Sequence, residues 1–255
     1  MKKLVSILLA AAMLLSSASS FAEGNYTDEM KFDDGVDLSA ETGADSVERQ
    51  ADHVNSPYFT SLDYYNMAST DTLTILTHFK TMQQSSNWSR GMTCALMVME
   101  WYGMRGDYTE ASLSELRPQG TKTSGTSLGE LLAVFRNVGG FDLYSTLDMG
   151  RDVKEKFTFD YIQETLKEGD PIIVGCNAWG GHWVVIIGYD NMGTATEMDD
   201  VIIVADPYDT TDHNQDGYQV VSAKQFMYSF TFNNYFPPDS GEPNDYCFLI
   251  AEPEA

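Results

Sequence analysis

Hydrophobic positions along the chain change period about two thirds of the way through. Met92 to Tyr102 is apolar almost all round, the mark of a helix enclosed by its domain rather than lying on its surface. Gly103 is expected to stop it. A second helix is predicted over Ser127 to Asn137, with Thr126 or Ser127 as its cap, Glu130 in its first turn and Gly139-Gly140 beyond its end. A third is predicted from Phe159 to Lys167, ended by Gly169. Pro171 to Cys176, Trp183 to Tyr189 and Val201 to Ala205 are β-branched runs bounded by Gly, Asn and Asp, as buried strands are, and Tyr218 to Ser222 reads as a further strand. Helices first and strands later predict an α+β domain, with a central buried helix in its N-terminal part and a mainly antiparallel sheet in its C-terminal part.

The first residues follow a different pattern. Lys2 and Lys3 precede an apolar run from Leu4 to Leu15, and small residues close on Ser20-Phe21-Ala22, the layout of a secretory signal peptide. Cleavage is expected after Ala22, with a secreted or periplasmic product. Residues 23–57 are acidic, poor in large aliphatics and without period, which predicts a flexible extension. The packed domain is expected over residues 58–255, where Tyr64, Tyr65, Leu73, Ile75 and Leu76 bring back apolar bulk. No later run approaches the roughly 18–20 apolar residues that span a bilayer, so membrane insertion is not expected.

Charge narrows the partners. The chain carries 15 basic and 38 acidic residues, a net charge of −23. Such a balance repels phosphates, which argues against nucleic acid and against anionic membrane surfaces. Three cysteines, Cys94, Cys176 and Cys247, leave at least one thiol outside any intramolecular disulfide. Cys94 lies in the apolar helix and Cys176 in an apolar strand, so both read as small buried hydrophobes.

Three short stretches carry chemistry. Gln84 stands just before the apolar helix, His182 follows Gly180-Gly181 at the start of a strand, and Asp206 ends the next strand before Pro207. A thiol-peptidase site needs an amide to bind the oxyanion, a thiol at a helix N-terminus, an imidazole base and a group that orients that base. Gln84, His182 and Asp206 fit three of these roles. Antiparallel neighbours would put the start of the His182 strand beside the end of the Asp206 strand. The helix-start position, six residues after Gln84, holds Arg90. Arginine has no nucleophilic atom at neutral pH, and its charge meets the unfavourable end of the helix dipole. Cys94 lies roughly 6 Å deeper along the helix, and Ser89 is turned about 100° away if helical.

These stretches resemble a known group. Gln83-Gln84, Asn87-Trp88-Ser89-Arg90-Gly91, the helix to Trp101-Tyr102-Gly103, Gly181-His182-Trp183-Val184-Val185-Ile186-Ile187-Gly188-Tyr189-Asp190 and Ala205-Asp206-Pro207-Tyr208 look like the papain-like cysteine peptidases of the bacteriocin-leader-processing type. The likeness runs from about Leu73 to Phe230. It implies a papain-like fold, with Gln84 as oxyanion donor, His182 as general base, Asp206 as its orienter and Arg90 on the nucleophile position. That family usually has Cys-Gly-Pro where this chain has Arg90-Gly91-Met92, and its leader-processing members usually belong to membrane transporters. Neither feature favours a leader peptide as substrate here.

Three functions follow as expectations. The first is an exported peptidase homologue, silenced by Arg90, that still binds a peptide or protein; Arg90 beside backbone N–H groups suits a peptide carboxylate. The second is an active thiol hydrolase that uses Cys94 or has cysteine as its true residue 90, since one base change separates the two codons. The third is a secreted binding protein without catalysis, with the acidic extension as its contact region. No cofactor is expected. Asp212, Asn214, Asp216 and Gly217 match the first half of a calcium loop, with Asp209 nearby, but Ala223 stands where an EF-hand has glutamate. The segment reads first as an acidic turn and second as a weak structural calcium site.

Overall fold

Met92 to Met99 is buried without interruption, as an all-round apolar helix requires. This helix is α1 (Arg90–Trp101) in a computed structural model that describes residues 62–86, 88–120, 125–178, 181–209 and 216–255. The leader, the extension up to residue 57 and the loop residues Asp212 and Asn214 lie outside the described residues. Tyr102 caps α1 and Gly103 takes a φ of +68°, ending the helix where the glycine predicted. Two side-chain bonds fix this end. Trp101 Nε1 donates to the Gly169 carbonyl (2.9 Å) and the Tyr102 hydroxyl donates to Asp170 Oδ1 (2.7 Å).

The remaining α-helices among the described residues are α2 (Glu110–Glu115), α3 (Leu128–Val138), α4 (Thr146–Met149), α5 (Val153–Lys156), α6 (Phe159–Glu168) and α7 (Ala223–Ser229). Of the two caps open for α3, Ser127 is the one used, in a capping box with Glu130. Thr158 caps α6, and Gly169 closes it in the left-handed region at φ +101°.

Among the described residues seven strands form one sheet: β1 (Leu73–Ile75), β2 (Phe141–Ser145), β3 (Ile172–Cys176), β4 (His182–Asp190), β5 (Val201–Ala205), β6 (Tyr218–Ser222) and β7 (Phe248–Pro253). Their order is β2-β7-β3-β4-β5-β6, with β1 added on β4, and every pairing is antiparallel. The fold is α+β. Its elements interleave more than the sequence suggests: β1 precedes α1, β2 separates the helices, and α7 falls between β6 and β7. From His182 to Tyr189 every residue of β4 is buried, so side chains on both faces of this strand are covered, with α1 and α6 packed against it. Among the described residues no helix is long and apolar enough to cross a membrane.

Two glycines let the sheet close on its neighbours. A Cβ on Gly175 of β3 would stand 2.1 Å from Phe232 Cζ. Gly217 takes a φ of +79°, and a Cβ there would meet Thr81 Cβ at 2.5 Å. Its carbonyl accepts from the Asp206 N–H (2.8 Å), and its own N–H donates to Asp209 Oδ2 (3.0 Å). Gly217→Ala is therefore expected to destabilise the protein by about 1–3 kcal/mol through overpacking. Urea denaturation with an unchanged midpoint would contradict this account of the turn.

Candidate active site

Because β4 and β5 run antiparallel with Val185 opposite Ala205, the first residue of β4 comes beside the residue that follows β5. His182 Nε2 and Asp206 Oδ1 lie 2.6 Å apart, and both residues are buried, at 1% and 5% exposure. Asp206 Oδ1 also accepts the Tyr208 N–H at 2.7 Å. With Nε2 occupied, His182 Nδ1 is a buried nitrogen without a hydrogen-bond partner. Gly181, directly before it, takes a φ of +112°, a turn that an L side chain rarely adopts. Gly180 lies outside the described residues.

The loop ahead of α1 is fastened to the same carboxylate segment. Gln83 Nε2 donates to the Asp206 carbonyl (3.1 Å), and the Gln84 N–H donates to the Pro207 carbonyl (2.8 Å). Gln84 is fully buried; its amide donates to the Ser86 carbonyl (2.6 Å), and its Oε1 has no partner. The side chain proposed from sequence for oxyanion binding thus uses one of its two N–H donors inside its own loop.

Arg90 is the first residue of α1; the N-cap residue Ser89 makes no side-chain capping bond, and no acidic residue stands in the first turn. Its side chain is half-buried and lines an open cleft, and its Nε is buried without a hydrogen-bond partner. Burial lowers the proton affinity of the guanidinium, and the nearby Tyr208 and Asp206 partly offset this. The ordinary value for arginine is so high that the group stays charged at neutral pH.

Glu110 is the part that sequence reasoning missed. Its carboxylate, 1% exposed, accepts the Ser85 N–H (3.2 Å to Oε1) and hydrogen-bonds the hydroxyls of Ser85 and Thr93. It therefore pins the loop to the first turn of α1. No local pattern marks a single glutamate 20 residues beyond Arg90; the contact is wholly tertiary.

The cleft has a volume of about 800 Å³. Trp88, Trp183, Phe232, Tyr235 and Phe236 give it aromatic walls. Trp183 is held by donation from Nε1 to the Thr126 carbonyl (2.8 Å) and packs edge-on against Phe232. Glu242 lines the cleft too, accepting from Ser127 Oγ (2.8 Å) and the Gly129 N–H (3.1 Å) at the start of α3. Arg117 donates to the carbonyls of Gly125 and Gly120 while its guanidinium stands 5.7 Å over the Trp88 ring.

All three cysteines are buried and free. Burial pushes the Cys94 and Cys247 thiols well above the usual range, and pushes Cys176 up to about 12. Cys176 pairs with His182 across β3 and β4, which places both side chains on one face of the sheet. Even so, Cys176 is only 7% exposed. The calcium-loop residues within the described part have structural partners: Asp209 Oδ1 accepts from Gln219 Nε2 (3.2 Å), and Asp216 Oδ1 accepts the Tyr218 N–H (3.0 Å). Among the described residues no group of three or more His, Cys, Asp or Glu is gathered as metal ligands are.

Two measurements follow from this geometry. Glu110→Ala would leave the buried Ser85 N–H without its acceptor, at a cost of roughly 1–3 kcal/mol for the unmade bond. Equal urea midpoints for the variant and the native protein would remove Glu110 from the support of the loop. For the thiols, a raised pKa means that the reactive thiolate appears only as pH climbs toward that value, so the folded protein is expected to resist iodoacetamide at pH 8 and to take up three labels in urea. Rapid labelling of Cys94 in the folded state would contradict its burial.

Comparison with known proteins agrees with the fold. No curated protein matches the chain. Residues 76–234, more than half of it, match the Peptidase_C39 like family, and the matched segment contains Gln84, Arg90, His182 and Asp206. The chain is a papain-like cysteine-peptidase homologue of α+β fold and belongs to the Peptidase_C39 like family.

Proposed function

We propose that this protein is an exported member of its family in which Arg90 has replaced the nucleophile, so that peptide hydrolysis is lost while the peptide-binding cleft is kept. The observation that carries this reading is the charged, half-buried Arg90 on the first residue of α1, in a site where His182 and Asp206 remain 2.6 Å apart. In the active arrangement a thiol at that helix start would pass its proton to His182, and Asp206 would hold the ring and stabilise the imidazolium. Here His182 Nδ1, the nitrogen that would take the proton, has no partner. Gln84 and the N–H groups at the start of α1 would serve the oxyanion. The His182–Asp206 contact and a helix start that carries no nucleophilic side chain support this reading.

A different thiol is a poor replacement. Cys94 is completely buried and held protonated, and the change needed to bring it into the cleft far exceeds what near-attack geometry tolerates. Retention of binding is supported by the aromatic cleft, whose volume of about 800 Å³ falls in the range of small-ligand sites. Export rests on the leader pattern ending at Ala22.

Restoring the thiol tests the proposal. Native protein is expected to cleave no member of a mixed peptide library and to take up no irreversible thiol-directed peptidase probe. Arg90→Cys is expected to gain labelling, and adding Asp206→Asn is expected to weaken that labelling by about 10²-fold or more as the imidazole loses its charged partner. Labelling of the native protein would refute the loss of the nucleophile, and silence in both proteins would refute an otherwise intact relay.

A further inference from the structure

Two walls of the cleft are joined by one side chain. Ser127 and Gly129 line it from the start of α3, and Phe232, Tyr235, Phe236 and Glu242 line it from the chain after α7. Glu242 crosses between them: Oε1 accepts from Ser127 Oγ (2.8 Å) and Oε2 accepts the Gly129 N–H (3.1 Å). A carboxylate at a helix start makes charge-assisted bonds that the helix dipole favours. Gly129 permits the approach, since a Cβ there would stand 2.5 Å from Glu242 Oε1.

The segment that bears Glu242 is built as a flap on a fixed base. The Phe232 N–H donates to the Asn244 carbonyl (2.6 Å) and the Tyr246 N–H to the Phe230 carbonyl (3.0 Å). Thr231 pairs with Asp245, whose Oδ2 also accepts from Lys154 Nζ (2.9 Å). Beyond this base the chain turns through Asn233 and Asn234, both left-handed at φ +52° and +60°, and returns through Gly241 at φ +78°. Internal bonds make the flap one piece. The Asn244 side chain bonds the N–H and the carbonyl of Phe236 (2.9 and 2.8 Å), and the Ser240 hydroxyl donates to the Pro237 carbonyl (2.7 Å). Among the described residues, the bonds of Glu242 are the hydrogen bonds that carry residues 235–243 to a helix or strand; the others stay within the flap and its base. Tyr235, at the cleft margin, is 66% exposed, so this end of the flap is not covered by other structure.

We propose that residues 233–243 form a hinged flap on the aromatic cleft, latched by Glu242 on the first turn of α3, and that release of the latch widens access to the cleft. Trp183 is held to the Thr126 carbonyl and Phe232 belongs to the base, so opening draws Phe236 and Glu242 away from a wall that stays in place. The latch uses neither Arg90 nor His182, so it stands or falls apart from the loss of hydrolysis.

Hydrogen exchange read by mass spectrometry, with acrylamide quenching of the four tryptophans, tests the flap in the native protein and two variants. Glu242→Ala removes the carboxylate. Gly129→Ala keeps the carboxylate in the chain but sets a methyl group against it, and it favours the helix, so the test stays decisive if Glu242→Ala fails to fold. In both variants the flap amides are expected to exchange at least about tenfold faster, as loss of a charge-assisted bond allows. The base, residues 230–232 and 244–246, is expected to keep native rates, and tryptophan quenching is expected to rise. Faster exchange confined to the start of α3 would make Glu242 a helix cap and overturn the latch. Faster exchange through the base would make Glu242 an anchor of the fold, which also overturns it. Unchanged flap exchange in both variants would leave the flap held by the packing of Phe236 on Phe232 and refute the latch. A loosened flap with unchanged quenching would refute its control of access.

Discussion

Asp206 is where three parts of the fold are tied into one. Its carboxylate holds His182 on β4, its carbonyl receives Gln83 from the loop before α1, and its N–H reaches the Gly217 carbonyl at the entry to β6. Each bond is to a different segment, and each segment would otherwise be free to settle its own distance from the sheet. A buried carboxylate is tolerable only with hydrogen-bond partners, and here Oδ1 meets both an imidazole and a backbone amide. The placing of the loop before α1 against β4 and the entry to β6 therefore follows from the contacts of this one residue.

Much of this was legible in the sequence because it is local or periodic. The all-round apolar run gave α1, Ser127 with Glu130 and Thr158 with Gly169 bounded two further helices, and the β-branched runs gave β3, β4 and β5. The pairing of His182 with Asp206 followed from one assumption, that successive strands run antiparallel. What escaped is of another kind. β1 has only three residues, and β2 alternates too weakly between buried and exposed positions to stand out. β7 lies far from the strands it joins, inserted between β2 and β3. Glu110, the aromatic walls around Phe232 and the Arg117 bracket act across long stretches of chain, so no spacing announces them.

The buried thiols show how position governs reactivity. Cys94 is one helical turn from the site, and Cys176 stands opposite His182 in the sheet, yet desolvation keeps both neutral. Nearness to an imidazole does not make a nucleophile when the thiolate has no water, cation or helix end to stabilise it. The helix end that could do so is occupied by a cation of its own.

The clamp formed by Glu110, Ser85 and Thr93, together with the bonds from Gln83 and Gln84, places the start of α1 without using the side chain of residue 90. Folding and chemistry are thereby uncoupled at this one position. A different side chain at residue 90 would therefore leave every one of these anchoring bonds in place.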